Sequence, residues 1–213
     1  MTRRRLVVFI SVLAALVCVL FWFRGCDRDY ANFPPRATGP WVAFGDSLTA
    51  GYGASPGNTY PELLSQTLSI AIQNHGRTGD TTSDGLSRVE EVARLQPRVV
   101  LLCLGGNDSL RGESPSRMFN NLSQIIDRFH AEGSFVVLIG IRSASLRDRH
   151  EARFSELAHA KRVFYVPDML KGIAFRPVYM SDAIHPNDAG YGQIAERLAK
   201  MLKPLLPELA VPK

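Results

Sequence analysis

Four short segments of this chain combine hydroxyl, imidazole, amide and carboxylate groups in an order that suits nucleophilic catalysis. The first is Gly45-Asp46-Ser47. A serine at a strand-to-helix turn exposes its hydroxyl, and its own backbone N–H can point into the same cavity. The second is Thr78-Gly79-Asp80-Thr81-Thr82, where Gly79 lets the backbone approach a bound group and offers its N–H to a developing negative charge. The third is Gly105-Gly106-Asn107-Asp108, whose Asn107 can aim a side-chain NH2 at that same charge. The fourth is Asp182-Ala183-Ile184-His185-Pro186. This spacing lets the Asp182 carboxylate meet one nitrogen of His185 while the other faces a nucleophile, as an acyl-transfer base requires. Pro186 biases His185 toward an extended backbone. Taken singly, each segment also reads as an ordinary turn, helix cap or surface pair. His75, His130, His150 and His159 lack a comparable setting and read as surface or packing residues. No group of residues has convincing metal-ligand spacing, and no cofactor is expected.

The elements that must position these segments alternate along the chain. Trp41–Phe44 reads as a buried strand, followed by a helix over Thr59–Leu68 with Pro61 in its first turn. A second strand over Ser69–Asn74 and a helix over Thr82–Leu95 come next. Arg98–Leu104 is the clearest strand, with Val99-Val100-Leu101-Leu102 apolar on both faces. Ser114-Pro115 opens a helix to about His130, with Met118, Leu122, Ile125, Ile126 and Phe129 at helical spacing. Phe135–Ile141 is a strand, Arg149–Ala160 a helix and Val163–Val166 a short strand; Asn187 caps a final helix carrying Ile194, Leu198 and Leu202. Alternating β and α units imply an α/β fold, a mostly parallel sheet with helices on both faces. Ligands in such folds bind at the carboxyl ends of the strands, where the four segments fall.

Together and in this order, the four segments resemble the GDSL-type or SGNH hydrolases, over about residues 41–205. The resemblance implies a three-layer α/β/α, flavodoxin-like domain with about five strands. It also implies that Ser47 is the nucleophile, with His185 and Asp182 completing a triad, and that the Ser47 and Gly79 N–H groups and the Asn107 side chain form an oxyanion hole. Gly105 to Gly112 looks closest to the bacterial branch of arylesterases, thioesterases and lysophospholipases. The implied activity is hydrolysis of carboxylic esters or thioesters of small acyl or lysophospholipid-like substrates. Alternatives are an O-acetylesterase of cell-wall or exported polysaccharide, acyl transfer to an acceptor other than water, and a tethered binding module without turnover. After the fourth strand that branch has a proline-rich turn with a Gly-Tyr pair. Here the residues are Arg142-Ser143-Ala144-Ser145-Leu146-Arg147 instead.

Composition sets the remaining bounds. The 213 residues suffice for one domain, with 46% apolar and 21% charged residues. The net charge of +5 is concentrated at the start, where Arg3, Arg4, Arg5, Arg24 and Arg28 face only Asp27 and Asp29. No basic stripe with interleaved aromatics remains to bind nucleic acid. Arg3-Arg4-Arg5 precedes an uncharged apolar run from Leu6 to Phe23, just long enough to cross a bilayer. The arginines should stay in the cytoplasm, placing the rest outside. Residues 1–26 are therefore expected to form an inner-membrane anchor or signal segment, 27–40 a proline-rich linker, 41–205 the hydrolase domain and 206–213 a tail. The domain is then expected in the periplasm or outside, with a lipoprotein or secreted form as the alternative. Three cysteines make no disulfide framework. Cys26 follows the apolar run as a lipidated cysteine does, though Phe23-Arg24 departs from that pattern.

Overall fold

The computed structural model describes residues 29–141 and 150–210. Five strands form one sheet: β1 (Trp41–Gly45), β2 (Ile72–Gly76), β3 (Val99–Cys103), β4 (Phe135–Ile139) and β5 (Phe164–Val166). Their spatial order is β2-β1-β3-β4-β5, and every pairing is parallel. Around them lie α1 (Ser47–Ala50), α2 (Tyr60–Leu68), α3 (Thr82–Ala93), α4 (Gly106–Leu110), α5 (Pro115–Ala131), α6 (His150–Lys161), α7 (Asp188–Leu202) and α8 (Leu206–Leu209).

Side chains alternate across a strand, so each central strand feeds two cores. Trp41, Ala43, Val99, Leu101 and Val137 pack with Leu64 of α2 and with Tyr191 and Leu198 of α7. Val42, Phe44, Val100, Leu102 and Val136 pack on the other face with Val89 of α3, Leu122 and Phe129 of α5, and Phe154 of α6. The result is the expected three-layer α/β/α arrangement. Helix starts follow local chemistry: Thr59 and Thr81 each form a capping box, with Glu62 and Asp84, and Asn187 caps α7.

β2 begins later than its sequence suggests. Ser69 closes α2 in the left-handed region, at φ 55°, so pairing starts only at Ile72. β2 is an edge strand, with none of its five residues buried, and so carries little apolar signal. Gln96, at φ 48°, similarly turns the chain soon after α3, which stops at Ala93 rather than Leu95.

The termini of the described chain also differ from expectation. The linker stretch, from Asp29 onward, is docked rather than free. Tyr30 packs edge-on against Phe135 and Phe164, and Asn32 donates to the His130 and Ser134 carbonyls. Leu209, in the expected tail, is fully buried. Arg98, only 5% exposed, joins both ends. It donates from Nε to Leu209 O (2.6 Å), from Nη1 to Ala37 O (3.1 Å), and from Nη2 to Glu208 O (3.1 Å) and Ala210 O (2.9 Å). The membrane-anchor expectation falls on residues outside the described ones, as does Cys26. Among the described residues, no helix is long and apolar enough to cross a membrane.

Replacing this guanidinium with an apolar chain strands several carbonyls in a dry site. Arg98→Met is expected to lower the unfolding free energy by about 2–4 kcal/mol. Urea unfolding would show a lower midpoint at unchanged slope; a loss well below 1 kcal/mol would refute the clamp.

Candidate active site

The parallel sheet gathers the four chemical segments at one edge, each following the carboxyl end of a strand or lying against that edge. Ser47 starts α1 directly after β1, with Asp46 as the helix cap accepting from the Leu48 N–H at 3.0 Å. Ser47 is itself largely buried. His185 approaches it from the loop before α7, with Nε2 3.0 Å from Ser47 Oγ. On the far side of the ring, Nδ1 lies 2.8 Å from Asp182 Oδ2. Hydroxyl, imidazole and carboxylate thus form one continuous hydrogen-bonded chain.

The Asp182–His185 loop is held largely by its own backbone. Asp182 Oδ1 accepts from the N–H groups of Ile184 (2.8 Å) and His185 (2.7 Å). Ser181 donates back to the His185 carbonyl through its N–H. Met180 and Pro186 form a short antiparallel bridge. Burial pushes the Asp182 carboxyl up, but hydrogen bonds from the His185 ring and from the two N–H groups outweigh it and bring its pKa down to about 2. Asp182 therefore stays ionised and able to orient the imidazole throughout the neutral range.

Asn107, near the start of α4, lines the same cavity as Ser47 and His185. Its Nδ2 donates one hydrogen to Asp80 O at 2.9 Å, leaving the other for a bound group. Gly79 is not among the residues lining this cavity; it lies on the turn that Asn107 holds. Its φ of 86° is the left-handed conformation that favours glycine, and its carbonyl accepts from Arg111 Nη2 at 2.8 Å. The structure thus brings Ser47, Asp182, His185 and Asn107 together, with Gly79 one residue from Asn107's anchoring carbonyl. Residues 142–147, the departure noted in the sequence, lie outside the described residues.

Three supporting groups escape a reading of the sequence. Arg88 on α3 is 7% exposed. It binds Asp80 Oδ2 at 2.6 Å and Gly45 O at 3.0 Å, and its guanidinium lies 4.1 Å from the Phe44 ring centre. It therefore ties the Ser47 turn to the Gly79 turn. Tyr191, buried in α7, donates to Tyr52 O at 2.9 Å, and the Tyr52 ring packs 4.4 Å from the His185 ring. Asp46 is the third. Burial raises its carboxyl to about 7, aided by the charges of Asp80 and Asp108 and opposed by the Leu48 N–H. The only sequence signal for Arg88 is a cation on the helix face that also carries Gly85, Val89 and Val92.

Beside Ser47 opens a cavity of about 610 Å³, a volume typical of small-molecule sites. Leu48, Leu110, Ile141, Leu170, Phe175 and Ile184 give it a mainly apolar wall. Among the described residues, no cluster of His, Cys, Asp or Glu is placed to hold a metal ion.

A serine–imidazole–carboxylate chain at the carboxyl edge of a five-stranded parallel sheet, opening on an apolar cavity, defines the α/β/α class of acyl-processing enzymes. Within it, the chain belongs to the GDSL-like lipase/acylhydrolase family, whose model matches residues 43–193. It is a carboxylic ester hydrolase. It is 34% identical over 184 residues to thioesterase 1/protease 1/lysophospholipase L1 of Escherichia coli K12, covering 82% of this chain and 88% of that one. It is 32% identical over 177 residues to esterase TesA of Pseudomonas aeruginosa, covering 78% and 88% of the two chains. The crystal structure of TesA superposes with a TM-score of 0.70 at 30% identity, covering 78% of this chain and 99% of that one.

A raised carboxyl pKa predicts a pH slope. Asp46 binds its proton more tightly in the folded state, so its penalty is absent below about 3.8 and grows as pH rises to about 7. Wild type should lose on the order of 3 kcal/mol of stability between pH 5 and 8 relative to Asp46→Asn. Parallel denaturant titrations at the two pH values check this, and equal slopes for the two proteins would remove the buried titrating carboxyl.

Proposed function

We propose that this chain is a membrane-tethered serine hydrolase of acyl esters or thioesters, working through an acyl-enzyme. The observation that carries the reading is the 3.0 Å contact between Ser47 Oγ and His185 Nε2 at the wall of an apolar cavity. Ser47 Oγ attacks the acyl carbonyl carbon as its proton passes to His185 Nε2. The carbonyl electron pair collects on oxygen, where the Ser47 N–H and Asn107 Nδ2, both on the cavity wall, stabilise it, while Asn107 also holds the Gly79 turn through Asp80 O. Collapse expels the alcohol or thiol, protonated by His185. Water, deprotonated by the same imidazole, then attacks the acyl-serine and releases the acid. Asp182 fixes the ring tautomer and offsets its charge when protonated.

The cavity favours an acyl chain longer than acetyl. An acetyl group needs only a small fraction of about 610 Å³, whereas an apolar wall of this extent is filled by a multi-carbon chain. Similarity to proteins named as a thioesterase/lysophospholipase and an esterase supports the same substrate class. The tether and the extracytoplasmic placement rest on Arg3-Arg4-Arg5 and the apolar run Leu6–Phe23.

A fluorophosphonate probe should label the wild type and not Ser47→Ala; equal labelling would be fatal to the nucleophile assignment. On a soluble medium-chain acyl ester, Asn107→Ala is expected to lower kcat by ~10²–10³ with little change in KM. Asp182→Asn is expected to cost more, up to about 10⁴, because the imidazole loses its tautomer control.

A further inference from the structure

The chain joins the folded body at the end of the sheet opposite the site. Tyr30 packs on Phe135 and Phe164, the first residues of β4 and β5. The N–H groups of Arg36 and Ala37 donate to Gly133 O, just before β4, and that of Ala31 to Arg162 O, just before β5. Arg162 in turn binds Asp29 through both its backbone carbonyl and its carboxylate. Every one of these contacts lies at the amino edge. Ser47, Asn107 and Ile141 follow the carboxyl ends of β1, β3 and β4.

The intervening chain is too short to turn the body over. From Phe23, where the apolar run ends, to the docked Asp29 the backbone spans at most about 20 Å. A compact body of this size is about 40 Å across. Tilted until that tether is taut, a body held at its amino pole still keeps its opposite pole about 20 Å above the bilayer surface. A lipid attached at Cys26 would shorten the tether further and give the same result.

We propose that the anchored enzyme draws its acyl substrates from the aqueous phase and is sterically excluded from acyl lipids of the bilayer that holds its own N-terminus. The proposal rests on the tethered-hydrolase reading above. It assigns a substrate class by access: water-dispersed acyl esters or thioesters that reach a cavity facing away from the membrane. The sole covalent chemistry is the hydrolysis already described.

The test uses full-length protein reconstituted into phospholipid vesicles, alongside a variant carrying about thirty Gly/Ser residues inserted between Arg28 and Asp29. Two substrates are compared: p-nitrophenyl butyrate in solution, and a fluorogenic long-chain acyl ester that stays in the same vesicles. The second is chosen as one that both forms cleave equally in detergent. Both forms should hydrolyse the soluble ester at the same rate. On the bilayer-held ester, the long-tether form should exceed the wild type by about tenfold or more, because only its tether can span the distance. Equal rates on the bilayer-held ester, whether both fast or both slow, would overturn the proposal. Failure of the wild type to float with the vesicles would overturn the anchor reading instead. Soluble-ester hydrolysis that persists in Ser47→Ala would overturn the mechanism alone.

Discussion

All five strands run the same way, and the organisation of the molecule follows from that. A parallel neighbour can be reached only by crossing back over the sheet, and here helices make each crossing. Those helices cover both faces, so the central strands are apolar throughout and Val99 to Cys103 is fully buried. The same directionality sorts the connections. Turns leaving β1, β2 and β3 meet at one edge, while the segments leading into β3, β4 and β5 meet at the other. The carboxyl edge gathers the Ser47, Gly79 and Asn107 turns. The amino edge gathers Arg98, the Tyr30–Ala37 segment and the chain end around Leu209. Chemistry and chain attachment are separated by the length of a strand because neither set of connections can migrate to the other edge.

Separation alone would leave three independent turns. They become one site through buried polar groups, whose desolvation is tolerable only when they are paired. Arg88 spans Gly45 O and Asp80 Oδ2, and Asn107 closes the circuit by holding Asp80 O. Asp108, 3% exposed, accepts from both Thr82 N and Thr82 Oγ1, pinning the start of α3 to α4. The three turns are therefore held by the protein's own hydrogen bonds, with no bound group needed to order them. Asp46 is the costly member of this set, since its burial against Asp80 and Asp108 favours the neutral form.

What the sequence makes legible follows from where information is local. β1, β3 and β4 are read correctly because burial on both faces leaves an uninterrupted apolar run. β2 is misplaced because an edge strand with Gln73, Asn74 and His75 has no such run. Capping residues at Thr59, Thr81 and Asn187 are local and readable. Asp182 and His185 are close enough in sequence for their pairing to be inferred. Arg88 is not readable, since its partners lie 43 and 8 residues away and nothing in α3 distinguishes a buried guanidinium from a solvated one. The Asp29–Pro40 stretch misleads for a related reason. Its prolines and polar residues have the composition of a spacer, yet Tyr30 and Phe33 find a complementary aromatic surface on Phe135 that only the folded sheet creates.

His185 and Asp182 come from a different kind of element than Ser47 and Asn107. Ser47 and Asn107 sit on strand-to-helix turns, where the sheet fixes their positions. His185 and Asp182 sit on a loop whose geometry is set within seven residues, by backbone donors to Asp182 Oδ1 and by the Met180–Pro186 bridge. Asp182 is 43% exposed at its side chain, so its ionisation depends on these local hydrogen bonds rather than on a buried ion pair. Such a loop keeps its internal geometry if it shifts as a unit, and the Ser47–His185 contact is then governed by how α7 and the Tyr191–Tyr52 link dock it. Residues of this loop and of the Leu170–Phe175 segment both line the cavity. A residue that reshapes the cavity wall at Met180 or Ile184 therefore acts on the same loop that carries His185.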